Sequence, residues 1–186
     1  MKSMFCFSGW RLAVATVFMG ATLVSAPVRA TTAPGHELVC RAAQFSAHFD
    51  DKEGAFDGMS QRGTLLVLRN TGIQACQINA LPALGFEGKG DKLLTVERRM
   101  PRGMHPGPVL LPLMVAPGAE VAMKLHWVSS DVYEGHNCVM PETAVLTLQD
   151  GVLRLPFGLT MCAAAGATEF FEQTPLGPVT SVAQPE

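Results

Sequence analysis

The sequence lacks the short motifs that mark the common enzyme and cofactor sites. It contains no G-x-S-x-G nucleophile turn, no H-E-x-x-H zinc-protease motif and no glycine-rich phosphate loop. The pair His36-Glu37 lies in a short polar leader rather than on a helix. We therefore expect no enzymatic activity and no bound cofactor.

A hydrophobic run of membrane-spanning length is also missing, since a helix needs roughly 20 apolar residues to cross a bilayer. The one uncharged apolar run near the amino terminus is shorter, and it follows Lys2 and Arg11. Val28 and Ala30 then have the small-residue spacing of a cleavage site. Residues 1–30 are therefore predicted to be a cleavable signal peptide. We expect a periplasmic or secreted protein with no stable membrane anchor after cleavage.

No C-x-x-C pair is present, although the chain has five cysteines. A structural zinc site needs such closely spaced ligands, so zinc is not expected. Four cysteines lie beyond the predicted signal peptide, and an even number in an exported chain indicates disulfides. Three pairings are possible. We favour Cys40–Cys76 and Cys138–Cys162, because each bridge would join segments that could be neighbouring strands.

Positive charge is scarce after residue 30. Three of the 14 Lys and Arg lie in residues 1–30, which leaves 11 basic against 16 acidic residues and a net charge of about −5. That balance disfavours nucleic acid and anionic membranes as partners. The exception is the group Arg98, Arg99 and Arg102 in a Pro- and Gly-bearing stretch, residues 97–108, predicted to be an exposed loop. These arginines could bind an acidic partner.

Helical periodicity is absent from the mature chain, and the period-2 alternation of strands takes its place. Residues 63–70 form a near-continuous apolar run that predicts a central strand. Residues 119–128 alternate, with Val121, Met123, Leu125 and Trp127 facing inward. Further strands are predicted within residues 40–49, 76–81, 83–96, 109–115 and 142–157, the first four separated by turn or loop residues. Residues 38–173 are therefore predicted to form one all-β, antiparallel β-sandwich with two disulfides, between a flexible leader (residues 31–37) and a disordered Pro-rich tail (residues 174–186).

Several segments resemble a family of exported bacterial domains known as domain of unknown function 4232. The residues that carry the resemblance are Cys40, the strand ending in Asn70-Thr71-Gly72, Cys76, and the Pro117-Gly118 turn before a strand that ends at Trp127. The resemblance implies an immunoglobulin-like sandwich with a bridge between the first two cysteines. The family carries no activity to transfer. We expect a binding or structural module of the cell envelope, with an unidentified protein or ligand as partner.

Copper handling is the first alternative function, with an envelope enzyme as the second. Seven of the ten methionines and all five histidines follow residue 30, and thioether sulfur suits Cu(I). The candidate ligands are Met100, Met104 and His105 in one loop and Met59 in another. The opposing interpretation is that Met114 and Met123 fill gaps in the core and the loop methionines have no role.

Four acidic residues in one loop could hold Ca²⁺, which takes several oxygen ligands. They are Asp50, Asp51, Glu53 and Asp57. Their order matches no calcium-loop motif, and a solvated acidic loop is the alternative.

Overall fold

The computed structural model describes residues 38–101 and 109–182. The predicted signal peptide, the leader and residues 183–186 of the predicted tail lie outside them. Fourteen strands are present in the described residues: β1 Phe45–Asp50, β2 Gln61–Asn70, β3 Cys76–Ile78, β4 Ala83–Gly88, β5 Lys92–Leu94, β6 Glu97–Arg99, β7 Leu113–Val115, β8 Glu120–Val128, β9 His136–Val139, β10 Thr143–Leu148, β11 Gly151–Pro156, β12 Met161–Ala164, β13 Phe170–Gln173 and β14 Gly177–Pro178. A four-residue helix, α1 (Val179–Val182), ends the described chain.

The larger sheet has the strand order β1-β2-β8-β13-β6, and β14 also pairs with β8. Its neighbours are antiparallel except for β13 and β6, which run parallel. β2 lies between β1 and β8 and is buried continuously from Gly63 to Leu68. Both of its faces are covered, which explains why its sequence shows no alternation. The predicted central strand is confirmed.

The second sheet has the order β11-β10-β4-β5, and two smaller two-stranded sheets pair β12 with β9 and β3 with β7. The core lies between the two larger sheets, where the rings of Phe86 and Phe171 meet edge to face at 5.2 Å. Trp127 is buried, and its Nε1 donates a hydrogen bond of 2.9 Å to the carbonyl of Thr160. The all-β antiparallel sandwich is confirmed, and its layout is compatible with an immunoglobulin-like arrangement.

The Asn-Thr-Gly motif forms a junction between strands. Asn70 is fully buried, and its Nδ2 donates to the carbonyls of Gln74 (2.9 Å) and Val115 (3.0 Å). Its Oδ1 accepts the N–H of Gly72 at 2.9 Å, and its own carbonyl accepts the N–H of Gly118 at 2.7 Å. One amide side chain therefore ties the end of β2 to the following turn and to β7. The Asn-Thr-Gly motif therefore has a structural role in joining these segments.

Both disulfides are present in the pairing favoured from the sequence. Cys40 and Cys76 are both buried and belong to the core. Cys138 and Cys162 are direct cross-strand partners in the β9–β12 sheet. One bridge therefore lies inside the sandwich, and the other fastens a two-stranded arm.

One predicted loop has more structure than its composition suggested. The stretch predicted as a loop from residue 97 begins with β6, whose residues Glu97–Arg99 pair in parallel with β13. The loop prediction is wrong for these three residues, because hydrogen bonding to a distant strand outweighs their charged, turn-like surroundings. Residues 102–108 lie outside the described part of the chain.

The predicted disordered tail is wrong for residues 174–182. Leu176 is buried, and its N–H donates to the carbonyl of Ala80 at 2.7 Å. β14 then pairs with β8, and Val179, together with Phe56, packs on the apolar patch Leu65, Val67 and Ala122 on the outer face of the larger sheet. The burial of this apolar patch stabilises the ordered position of residues 174–182, although this Pro-rich segment has little strand propensity of its own.

Leu176→Ala is expected to lower the free energy of unfolding by about 2 to 3 kcal/mol, because a buried leucine side chain leaves a cavity. Urea unfolding followed by Trp127 fluorescence measures this. Leu93→Ala is the matched control, since Leu93 is 73% exposed, and it should change stability by less than about 0.5 kcal/mol. Equal effects of the two variants would contradict the docked position of the carboxyl-terminal segment.

Candidate functional site

A groove of about 600 Å³ crosses the outer face of the larger sheet. Its floor consists of side chains on β8 and β13. One wall is the loop of residues 55–58, and the other is β6 with Met100 and Pro101. We call it the outer groove. Two other cavities, of about 250 and 280 Å³, fall below the usual size of small-molecule sites, whereas the outer groove lies within it.

Strand register aligns one row of residues across the floor of the outer groove. Gly63 on β2 is opposite His126 on β8, His126 is opposite Glu172 on β13, and Glu172 is opposite Arg99 on β6. Lys124 lies two residues from His126 on the same face of β8, because side chains of a strand alternate. The floor therefore brings together one permanent cation, one histidine and one carboxylate, and Arg99 adds a second cation from the β6 wall.

The loop wall depends on a glycine. A Cβ at Gly63 would lie 2.5 Å from the Cβ of Phe56, which no packed structure tolerates. The missing side chain lets Phe56 lie directly on the sheet, against the patch of Leu65, Val67 and Ala122. The N–H of Gly63 also donates to Oδ1 of Asp57 at 3.2 Å. These contacts hold the loop over one side of the groove.

Arg99 forms the opposite wall. Its guanidinium carbon lies 3.8 Å from the centroid of the Phe170 ring, within cation–π range. Oε2 of Glu97 accepts from Nη2 at 2.8 Å and from Nε at 3.3 Å. Glu97 thus engages the guanidinium through a single oxygen, and the Nη1 donors make no hydrogen bond to the described residues. Arg99 is oriented by two neighbours and retains donors that a ligand can use.

The groove also holds a titratable pair, His126 and Glu172, as cross-strand neighbours. The only hydroxyl among the described lining residues belongs to Thr174, and its Oγ1 accepts the backbone N–H of Lys124 at 2.9 Å. The groove therefore places an imidazole and a carboxylate on adjacent strands, near a hydroxyl that accepts a hydrogen bond from the main chain.

The copper candidates are only partly described. Met100 lines the outer groove, and Met59 is fully exposed next to the loop wall. Met104 and His105 lie outside the described residues, so a copper site that joins them to Met100 stays the alternative stated from the sequence. Of the methionines assigned to the core, Met123 is buried, but Met114 is 53% exposed. That half of the interpretation is wrong, because Met114 lies on the open face of the small β3–β7 sheet, opposite Gln77.

The acidic loop is engaged with its own neighbours. Asp50 pairs with Lys52, Asp57 pairs with Arg62 at 3.6 Å, and Oδ1 of Asp51 accepts the N–H of Glu53 at 3.0 Å. The hydrogen bond from the Lys52 side chain lowers the pKa of Asp50 below its usual value. In the part of the chain that the structure describes, no three His, Cys, Asp or Glu side chains are grouped for a metal ion.

Sequence reasoning singled out only some of the groove residues. Arg98 and Arg99 belong to the predicted basic loop, and the alternation predicted for residues 119–128 puts Lys124 and His126 on the face opposite the inward residues. Phe170 and Glu172 were missed as site residues, because only the pairing of β13 with both β8 and β6 brings them to the groove. The exposed Arg98 lies on the other face of β6 from Arg99.

Fold and site together define a two-disulfide, all-β domain with a charged and aromatic groove on one sheet. The model of the family domain of unknown function (DUF4232) matches residues 40–176. The chain therefore belongs to that family, as its cysteine, Asn-Thr-Gly and Pro-Gly pattern predicted. No curated protein and no solved structure matches the chain. Within residues 38–101 and 109–182, no helix is long and apolar enough to cross a bilayer.

Proposed function

We propose that the protein is an exported binding module of the cell envelope, and that its outer groove takes an acidic segment of a partner polypeptide. The orientation of Arg99 by Phe170 and Glu97 is the observation that carries this proposal. The predicted signal peptide and the two disulfides support export, since disulfides persist in oxidising compartments.

The chemistry of the groove favours a peptide over an inorganic anion. Arg99 can pair with a carboxylate of the ligand. Phe56 and Phe170 offer apolar surface, and Glu172 can accept hydrogen bonds from ligand amides. A peptide strand that carries an acidic side chain beside an apolar one supplies all three groups.

Arg99→Gln is expected to weaken binding of a capped peptide, acetyl-Val-Glu-Phe-Val-amide, by about tenfold, because a charge-assisted hydrogen bond is lost. Amide chemical shifts in an NMR titration measure this. In the wild-type protein the shifts should concentrate at residues 55–58, 97–101 and 170–174. The affinity for the peptide should fall as salt is added, because salt screens the exposed ion pair between Arg99 and the glutamate of the peptide.

The same peptide with Gln in place of Glu is the ligand control, and Arg69→Gln, at an exposed position near the far end of β2, is the protein control. The Gln peptide should bind the wild-type protein about tenfold more weakly, and Arg69→Gln should retain wild-type affinity for the Glu peptide. Equal binding of the two peptides, or shifts confined to other surfaces, would refute the proposal.

Cu(I) handling is a second candidate, because Met100 and His126 both line the outer groove. A thioether and an imidazole are ligands that copper accepts. Anaerobic titration with Cu(I) in place of the peptide separates the two candidates. A copper site would bind the ion without any need for the Arg99 guanidinium.

A further inference from the structure

We propose that the Cys138–Cys162 bridge is a thiol–disulfide exchange site, which a dithiol reductant opens while Cys40–Cys76 stays closed. The two bridges of this chain differ sharply in their surroundings. Cys138 is exposed, whereas Cys40, Cys76 and Cys162 are each 2% exposed or less. A thiol can therefore reach the Cys138–Cys162 bridge in the folded protein, whereas it can reach Cys40–Cys76 only after the protein unfolds.

The position of β9 makes the exposed bridge separable from the core. Among the strands of residues 38–101 and 109–182, β9 pairs with β12 alone, and its residues His136, Asn137 and Cys138 are all exposed. β12 is anchored independently, because Met161 is fully buried and Ala163 is 3% exposed. Opening the bridge therefore frees the β9 side of the arm and leaves the β12 side seated on the sandwich.

The exchange has a defined course. A thiolate of the dithiol attacks the sulfur of Cys138, a new S–S bond forms, and Cys162 leaves as a thiolate. The second thiol of the reductant then attacks the reductant sulfur that is bonded to Cys138 in the mixed disulfide. A disulfide forms within the reductant, and Cys138 leaves as a thiolate. The two protons of the dithiol end on Cys138 and Cys162. The protein bridge is reduced by two electrons, and the dithiol is oxidised to a disulfide.

Reduction should loosen the arm locally. After reduction, the segment around β9 keeps the β9–β12 ladder and the packing of Val139 against the core. It also keeps a 2.7 Å contact of His136 Nδ1 with Oδ1 of Asp131 and a 3.3 Å hydrogen bond from Asn137 Nδ2 to the carbonyl of Ala167. The two side-chain contacts, of His136 and Asn137, are solvent-exposed, and exposed contacts of this kind open readily. The exchange site can therefore control the order of one arm without melting the domain.

Timed reduction of the mature protein with dithiothreitol under native conditions, followed by alkylation and mass spectrometry, tests the proposal. The first two labels should appear on Cys138 and Cys162 at a rate proportional to the thiol concentration. Cys40 and Cys76 should be labelled about a hundredfold more slowly, because their access requires large-scale opening. Hydrogen exchange should then quicken at residues 136–139 and stay unchanged at residues 61–70.

The double variant Cys138→Ser/Cys162→Ser should lose the fast phase and keep the slow one. First labels on Cys40 and Cys76, or four labels that appear together, would overturn the proposal, as would labelling that starts only when Trp127 fluorescence reports unfolding. The wild-type peptide map decides the matter even if the double variant does not fold.

Discussion

Replacing Cys40 and Cys76 together with alanine is expected to lower the free energy of unfolding by about 4 to 5 kcal/mol. The bridge closes a loop between residues 36 positions apart, and removing such a cross-link returns about 4 kcal/mol of chain entropy to the unfolded state. Both cysteines are also buried in the core, so the lost sulfur atoms leave unfilled volume. Denaturant unfolding of the purified protein measures the difference.

The matched control is Cys138→Ala/Cys162→Ala, whose bridge spans 24 positions and includes the exposed Cys138. It shares the entropy effect of a lost cross-link but loses less packing, so its destabilisation should be smaller by about 1 kcal/mol or more. A larger loss from the exposed pair would contradict the assignment of Cys40–Cys76 as the core bridge.

Asn70→Asp is expected to lower the free energy of unfolding by about 3 to 5 kcal/mol at neutral pH. The amide of the fully buried Asn70 donates to two carbonyls, that of the buried Val115 and that of Gln74 in a partly buried turn. A carboxylate cannot donate to either one, and each unpaired buried carbonyl costs about 1 to 3 kcal/mol. The buried charge adds its own desolvation penalty. Thermal or urea unfolding gives the measurement.

Asn79→Asp is a control of the same chemistry. Asn79 is exposed, and its Oδ1 only accepts a hydrogen bond of 3.1 Å, from the N–H of Leu81. A carboxylate can accept that bond equally well, so the expected change is below about 0.5 kcal/mol. A comparable loss at both positions would contradict the role of the Asn70 amide as a junction between β2, the turn and β7.

The sequence predicted a strand correctly where the hydrophobic pattern of that strand alone indicates which of its faces are buried. β8 alternates because one face meets the core, and the four residues predicted to face inward, Val121, Met123, Leu125 and Trp127, are all buried. β2 carries a continuous apolar run because both of its faces are covered. Hairpins such as β4–β5 and β10–β11 could also be predicted from local sequence, because a few consecutive residues determine each turn.

Long-range pairing was harder to predict. β6 is a charged three-residue strand, and its partner β13 lies about 70 positions away, so no local signal marks it. The segment from residue 174 was predicted to be disordered from its prolines. It is ordered by Leu176 in the core and by Val179 on the outer apolar patch of the sheet, neither of which the segment reveals by itself. Both errors come from contacts that form only after the sheet exists.

The amino-acid sequence by itself determined the all-β class, the four cysteines that pair and the family, because these depend on side-chain period, residue identity and local turns. The tertiary structure alone decided where the outer groove lies and which groups meet in it. His126, Glu172 and Arg99 come from three strands, and the groove needs Gly63 on a fourth so that Phe56 can lie over the sheet. Strand register is set by the burial of whole faces, so a site built across four strands is not encoded in any single segment.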